Sequence, residues 1–241
     1  MVEKNKSSDI RITSAASTSN TTVVLEIYRK LYTAFGPQHW WPAETPFEVI
    51  VGAILTQNTA WRNVEKAISH LREKDLLRLE AIHLIPENAL AESIRPSGYY
   101  NLKAHRLKEL VAFIYRTYDG QLDRMFSKEG SIIRKALLSV NGLGPETVDS
   151  ILLYAGEIPF FVVDAYTRRI GSRHRLFDER AAYQEIQDYF MTHLPHESTI
   201  LNEYHALLVK TAKDFCKKKP GCSGCPLNTL AGFESLSIIS P

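Results

Sequence analysis

Cysteine is scarce in this 241-residue chain: there are three, and they sit together at Cys216, Cys222 and Cys225. An odd, clustered set makes a poor disulfide framework and reads instead as a metal or cluster site short of one ligand. Long apolar runs are missing as well. None approaches the roughly 20 residues that span a bilayer, and the N-terminus has no apolar signal core. A membrane role is set aside on those grounds, and an intracellular, cytoplasmic setting is expected. Nor is there an excess of either charge, the formal net charge being +2. A polyanionic partner must then meet a local basic face, because bulk charge would not attract it. No G-x-G-x-x-G precedes a helix and no Walker motif occurs, so dinucleotide and P-loop chemistry have no signature. Strand-like alternation is confined to residues 160–163.

Helical periodicity is what the chain does contain, with 44% hydrophobic and 23% charged residues, a balance that suits a globular fold. Residues 1–22 are polar and rich in Ser and Thr, and read as a disordered tail. From Val23 onward Val24, Tyr28, Leu31, Tyr32 and Phe35 share one helical face, until three prolines in GPQHWWPAETP interrupt it. FEVIVGAIL is apolar nearly all round, as a buried helix would be; it should end near Gln57 to Thr59, with an amphipathic helix following. A turn at 96–98 leads into a long helix. SIIRKALLSV forms another, with Ile133, Ala136, Leu137 and Val140 on its core side. The fold predicted is all-α, in two helical lobes. One lobe is continuous over 46–158; the other joins 23–45 to 159–241, and the cleft lies between them.

The stretch VNGLGPETVDSILLYAGEIPFFVVDAYTRRI carries the chemistry. Asn141 and Gly142 end one helix, since glycine accepts the left-handed backbone that helix C-termini use. Pro145 opens the next, where its missing N–H costs nothing. Val148, Ile151, Leu152 and Ala155 then form an apolar stripe that Gly156 terminates. Backbone N–H groups at the start of that second helix can hold an anion such as a phosphate. Taken alone, this hairpin fits an ordinary connection between core helices equally well. Asp164 closes the apolar run PFFVV, and by itself it fits either a helix N-cap or a buried catalytic carboxylate.

Hairpin, crossing and aspartate together, over roughly residues 40–225, resemble the helix-hairpin-helix DNA glycosylases of the endonuclease III superfamily. The resemblance implies that the backbone of Gly142, Leu143 and Gly144 holds a DNA phosphate and that Asp164 is the catalytic carboxylate. Lyase-competent members carry a lysine in the first turn after the hairpin. Glu146 stands there in this chain and cannot form an imine, so water is the expected nucleophile. HWWP, LTQNTAW and GPETVD further resemble the endonuclease III-like 3-methyladenine glycosylases. That likeness puts Trp41 and Trp61 on either side of an extruded base, Asn58 near the gap left in the duplex, and Glu146 at the pocket. Trp40 reads as packing. RPSGYYNLKAHRL resembles a DNA-contacting turn, with the Gly98 backbone and Lys103 on a phosphate. C-x5-C-x2-C resembles the family's [4Fe–4S] loop, which uses four thiolates. The fourth would fall near Ala231, where no cysteine stands, so a retained and a lost cluster are both compatible with the sequence. His205, upstream on a helix, reads as a packed residue.

The function expected is a monofunctional glycosylase of base excision repair that removes alkylated purines such as 3-methyladenine. Its partner would be double-stranded DNA containing a damaged base, bound by a monomer. Two alternatives stand beside this: an endonuclease III-like glycosylase/lyase for oxidised pyrimidines, and a non-catalytic helix-hairpin-helix DNA-binding module.

Overall fold

The computed structural model describes residues 19–230, and every regular element among them is a helix. Most of the tail expected over 1–22 lies outside the described residues; helix α1, Ser19–Phe35, begins within its last positions. Among the described residues no helix is long and apolar enough to cross a membrane.

Helix α2, Pro46–Leu55, is the central element. Thr45 caps it by accepting from the Glu48 N–H, Pro46 occupies its first position, and the nine residues from Phe47 to Leu55 are buried. Buried Glu48 is paired with Arg72 at 2.6 Å, on helix α3, Trp61–Glu73. Two short helices follow, α4 (Leu79–Leu84) and α5 (Glu87–Ser93), before the long α6 (Tyr100–Tyr118). After α7 (Leu122–Phe126) and α8 (Gly130–Leu138), the chain turns through the glycine-rich hairpin into α9, Pro145–Ser150. The expected stripe continues past Ser150, but as a π-helical turn over Ile151–Ala155. This wider turn buries Leu153 and Tyr154 together with the predicted Ile151, Leu152 and Ala155. Residues 160–163 cross as extended chain without a strand partner. Helices α10 (Ala165–Arg173), α11 (Tyr183–His193) and α12 (Ser198–Asp214) complete the fold.

α1 packs on α11 and α12, and α12 on α10; α2 packs on α3, α6, α9 and the π turn. The two helical lobes share one continuous apolar core. A buried polar knot fixes the crossing between them. Asp149 of α9, fully buried, accepts from Arg134 (2.6 and 3.0 Å), Tyr183 (2.8 Å) and Gln187 (2.7 Å). Gln187 also donates to the Phe161 carbonyl at 2.7 Å, and the Tyr183 hydroxyl accepts from the Val163 N–H at 3.3 Å. A buried carboxylate is stable only when its oxygens are matched in this way. The knot sets the path of 161–163, and therefore the place of Asp164.

Candidate active site

Asp164 ends the crossing as the N-cap of α10, its Oδ1 accepting from the Thr167 N–H at 2.7 Å. The expected N-cap role is present, and a capping carboxylate uses one oxygen and leaves the other. Oδ2 faces His205 Nε2 at 3.6 Å, and only 13% of the Asp164 side chain is exposed. Burial alone would raise this carboxyl. The contacts from His205 and the Thr167 amide outweigh it, so Asp164 is held below the usual carboxylate value. Glu146, exposed in the first turn of α9, moves the other way: partial desolvation of its carboxyl raises it, the charge of Asp164 adds to this, and His205 opposes it.

Aromatic rings connect to this site through Tyr154. Trp40, Trp41 and Trp61 form a cluster, with ring centres 5.0 Å apart for Trp40–Trp41, 4.7 Å for Trp40–Trp61 and 5.4 Å for Trp41–Trp61. Trp41 lies against Gly52 of α2 and reaches Tyr154 of the π turn at 5.3 Å. The expectation that Trp41 and Trp61 flank a base is corrected here. Their rings meet edge to face at 81°, and a stacked base needs about 7 Å between two parallel plates. The indoles form a wall, and Trp40 belongs to it. Tyr154 hydrogen-bonds His205 Nδ1 at 2.5 Å, joining the wall to Asp164.

The hairpin is tied to the end of α2. Gln57 donates to Thr147 Oγ1 at 2.9 Å and to the Gly142 carbonyl at 3.4 Å, while Arg106 donates to Gln57 Oε1 at 2.5 Å. Gly142 has φ +84°, and a Cβ there would strike the Arg106 stem at 2.5 Å. Leu143 is buried beneath the turn, whereas Gly144 is exposed with open space around it. Asn58 is exposed and left-handed at φ 52°, next to this corner. Gly98, at φ +68°, opens a turn whose next residue, Tyr99, is 71% exposed.

Lys103 is a second correction. It is buried and donates to the carbonyls of Leu55 (2.8 Å) and Ser97 (2.7 Å), so it cannot reach a phosphate. Its ammonium joins the end of α2 to the Gly98 turn from inside. Burial, with Arg106 adding, pushes its pKa down to about 8.

The cysteine loop does not fit a [4Fe–4S] cluster. Among the described residues no group of three His, Cys, Asp or Glu side chains lies close enough to hold a metal ion. Cys216 is buried with its Sγ accepting from Arg173 at 3.2 Å, Cys222 is exposed, and Cys225 is half-buried. Arginines hold the loop. Arg169 donates to the Cys216 carbonyl at 2.6 Å, and Arg173 to those of Lys217 (2.6 Å) and Lys218 (2.9 Å).

Tyr154, His205, Gln57, Arg106 and Asp149 are the residues that sequence reasoning missed as parts of this site. His205 falls four residues after Leu201 on an apolar helix face, which is a packing signal. Its partner Tyr154 is 51 positions away and invisible to local pattern.

A helical hairpin with a following capped aspartate, beside an aromatic wall, defines a helix-hairpin-helix DNA-repair fold. Residues 51–196 match the HhH-GPD superfamily base excision DNA repair protein family, and the chain belongs to that superfamily. A Methanocaldococcus jannaschii protein provisionally named a DNA repair glycosylase is 50% identical over 207 residues, 85% of this chain and 94% of the relative. The Sulfolobus acidocaldarius endonuclease III is 28% identical over 74% of this chain and 78% of its own length. Among solved structures, Helicobacter pylori 3-methyladenine DNA glycosylase bound to 1,N6-ethenoadenine is 28% identical with a TM-score of 0.70, covering 81% of this chain and 98% of that one. An endonuclease III–DNA covalent intermediate shares the fold, with a TM-score of 0.75 at 22% identity over 89% and 96% of the two chains.

Proposed function

We propose that the chain is a monofunctional DNA glycosylase that hydrolyses the N-glycosidic bond of alkylated purines, 3-methyladenine among them, in duplex DNA. The observation that carries the reading is the carboxylate pair: Asp164 held below the usual carboxylate value and linked through His205 and Tyr154 to the indole wall, with Glu146 where the resemblance expects a lyase lysine. The 28% identical Helicobacter pylori structure, a 3-methyladenine glycosylase with 1,N6-ethenoadenine bound, supports the substrate class.

The chemistry follows from charge. An alkylated purine such as 3-methyladenine is already cationic, so when the C1′–N bond breaks the electron pair leaves with a base that becomes neutral. Positive charge then grows on the deoxyribose, where a fixed, largely desolvated carboxylate at Asp164 stabilises it. Water adds to C1′, and its proton passes to a carboxylate. Glu146, with its raised carboxyl, is the stronger base of the pair. The indole wall selects a cationic base through its ring faces, and the exposed Gly144 and Gly98 backbone turns bind the phosphates on either side.

A methylated duplex carrying 3-methyladenine and 7-methylguanine, and duplexes carrying one neutral lesion each (1,N6-ethenoadenine, hypoxanthine, thymine glycol or uracil), test this with and without alkali and borohydride. Alkali-dependent breaks at the alkylated purine are expected, with no borohydride-trapped adduct. Breaks without alkali and a trapped band would make the chain a lyase. No excision on any duplex would make it a binding module.

A further inference from the structure

The geometry points to His205 as a positioning residue for Asp164, holding the carboxylate through its Nε2–H while the Tyr154 phenol fixes which ring nitrogen carries the proton. This rests on the reading of Asp164 given above. His205 is 6% exposed on α12, its ring lying between Tyr154 and Asp164. Burial, and then the charges of Asp164 and Glu203, raise the Tyr154 hydroxyl well above its ordinary value, so it stays a phenol with one proton to give. Nδ1 of His205 is its one hydrogen-bond partner among the described residues, and the phenol therefore donates to Nδ1. A neutral imidazole that accepts at Nδ1 must carry its hydrogen on Nε2.

Nε2 is buried with no closer polar partner than Asp164 Oδ2 at 3.6 Å, about half an ångström beyond a normal N–H···O bond. The opposite tautomer would aim a lone pair at a carboxylate in a place with little water, which is repulsive. Oδ1 is taken by the Thr167 N–H, and Oδ2 is the oxygen that Nε2 faces, so a small closing movement would hold the carboxylate from two helices.

The consequence is a pH effect with a defined sign. Burial raises Asp164 and His205 lowers it, so removing the histidine donor lets the carboxyl rise. Excision requires the ionised form, and its acid limb must then move to higher pH. The other titratable groups bearing on this pair are Glu146 on α9, Tyr154 on the π turn and Glu203 on α12; Tyr183 on α11 bears on Glu146. Glu146 also rises when His205 is removed, because His205 opposes its upward shift, so both carboxyls move the acid limb in the same direction.

The experiment measures single-turnover excision from about pH 4 to about pH 9 for wild type, His205→Leu, His205→Gln, Tyr154→Phe and Asp164→Asn, with affinity for an abasic-analogue duplex and the melting temperature recorded alongside. His205→Leu is expected to lose about tenfold or more in rate and to shift the acid limb up by about one pH unit, with affinity little changed. His205→Gln should recover most of the loss, because its amide N–H reaches the place of Nε2–H. Tyr154→Phe should lose less than His205→Leu, since it only frees the tautomer. An unshifted acid limb in folded His205→Leu, or His205→Gln no better than His205→Leu, overturns the proposal. If the leucine variant does not fold, the 15N shifts of wild-type His205 decide it, and an Nδ1–H tautomer overturns it. Excision that survives Asp164→Asn would instead overturn the reading of Asp164.

Discussion

Trp61 is half-buried, its ring touching Trp40 and Trp41 in the indole wall. Replacing it by alanine should weaken excision of cationic alkylated bases selectively. Stacking on an aromatic side chain is worth about 1–3 kcal/mol per base, and for a charged base cation–π attraction adds to that. The check is the ratio of single-turnover rates on an alkylated purine and on hypoxanthine, which is neutral. Equal losses on both would mean that the ring only supports the wall. The type of residue needed here could be read from HWWP and LTQNTAW, and Asp164 from its place after the hairpin. The arrangement could not. Whether two indoles sandwich a base or lean on each other depends on how the 36–45 segment docks on α2, and that is decided by contacts such as Trp41 on Gly52. Lys103 is the clearest case of the limit. Its sequence surroundings are those of any surface lysine, and only the carbonyls of Leu55 and Ser97, brought together by folding, turn it inward.

The two hairpin glycines do different work at the level of the element. Gly142 answers a conformational demand: at φ +84°, with Arg106 packed over it, alanine would cost about 1–2 kcal/mol for the left-handed backbone alone, and more for displacing the arginine stem. Gly144 has ordinary backbone angles (φ −92°, ψ 171°) and open space where a methyl would stand, so Gly144→Ala should leave the melting temperature unchanged. It should nevertheless weaken DNA binding several-fold, because the methyl would occupy the space a phosphate needs to reach the α9 N–H groups. Fluorescence anisotropy on an undamaged duplex, set against thermal denaturation, separates these outcomes. Unchanged affinity would remove the hairpin from the DNA interface. Helix ends of this kind are local, and glycine followed by proline marked them in the sequence. The π turn after α9 was not marked. Its extra residue per turn rotates Tyr154 inward toward His205, and π turns recur at functional sites for this reason.

For the molecule as a whole, the C-terminal loop raises the question of what holds residues 216–225 in place. The three thiols do not converge on a metal, whereas Arg169 and Arg173, one helical turn apart on α10, donate to three successive carbonyls from Cys216 to Lys218. Asp164 is the N-cap of α10, so the loop braces the far end of the helix that this carboxylate caps. The purified protein is therefore expected to be colourless, without iron or acid-labile sulfide. Cys222→Ser, at an exposed position, should change stability by no more than about 0.5 kcal/mol. Arg173→Met removes two carbonyl bonds and the contact to Cys216 Sγ, and should cost about 1–3 kcal/mol. In a chain of this length that corresponds to a fall in melting temperature of several degrees. It should also lower the excision rate more than DNA affinity, because what loosens is the support of Asp164 and not a DNA contact. Four irons per chain, or a Cys222→Ser loss as large as that of Arg173→Met, would return the loop to the thiolates and place the brace in a cluster.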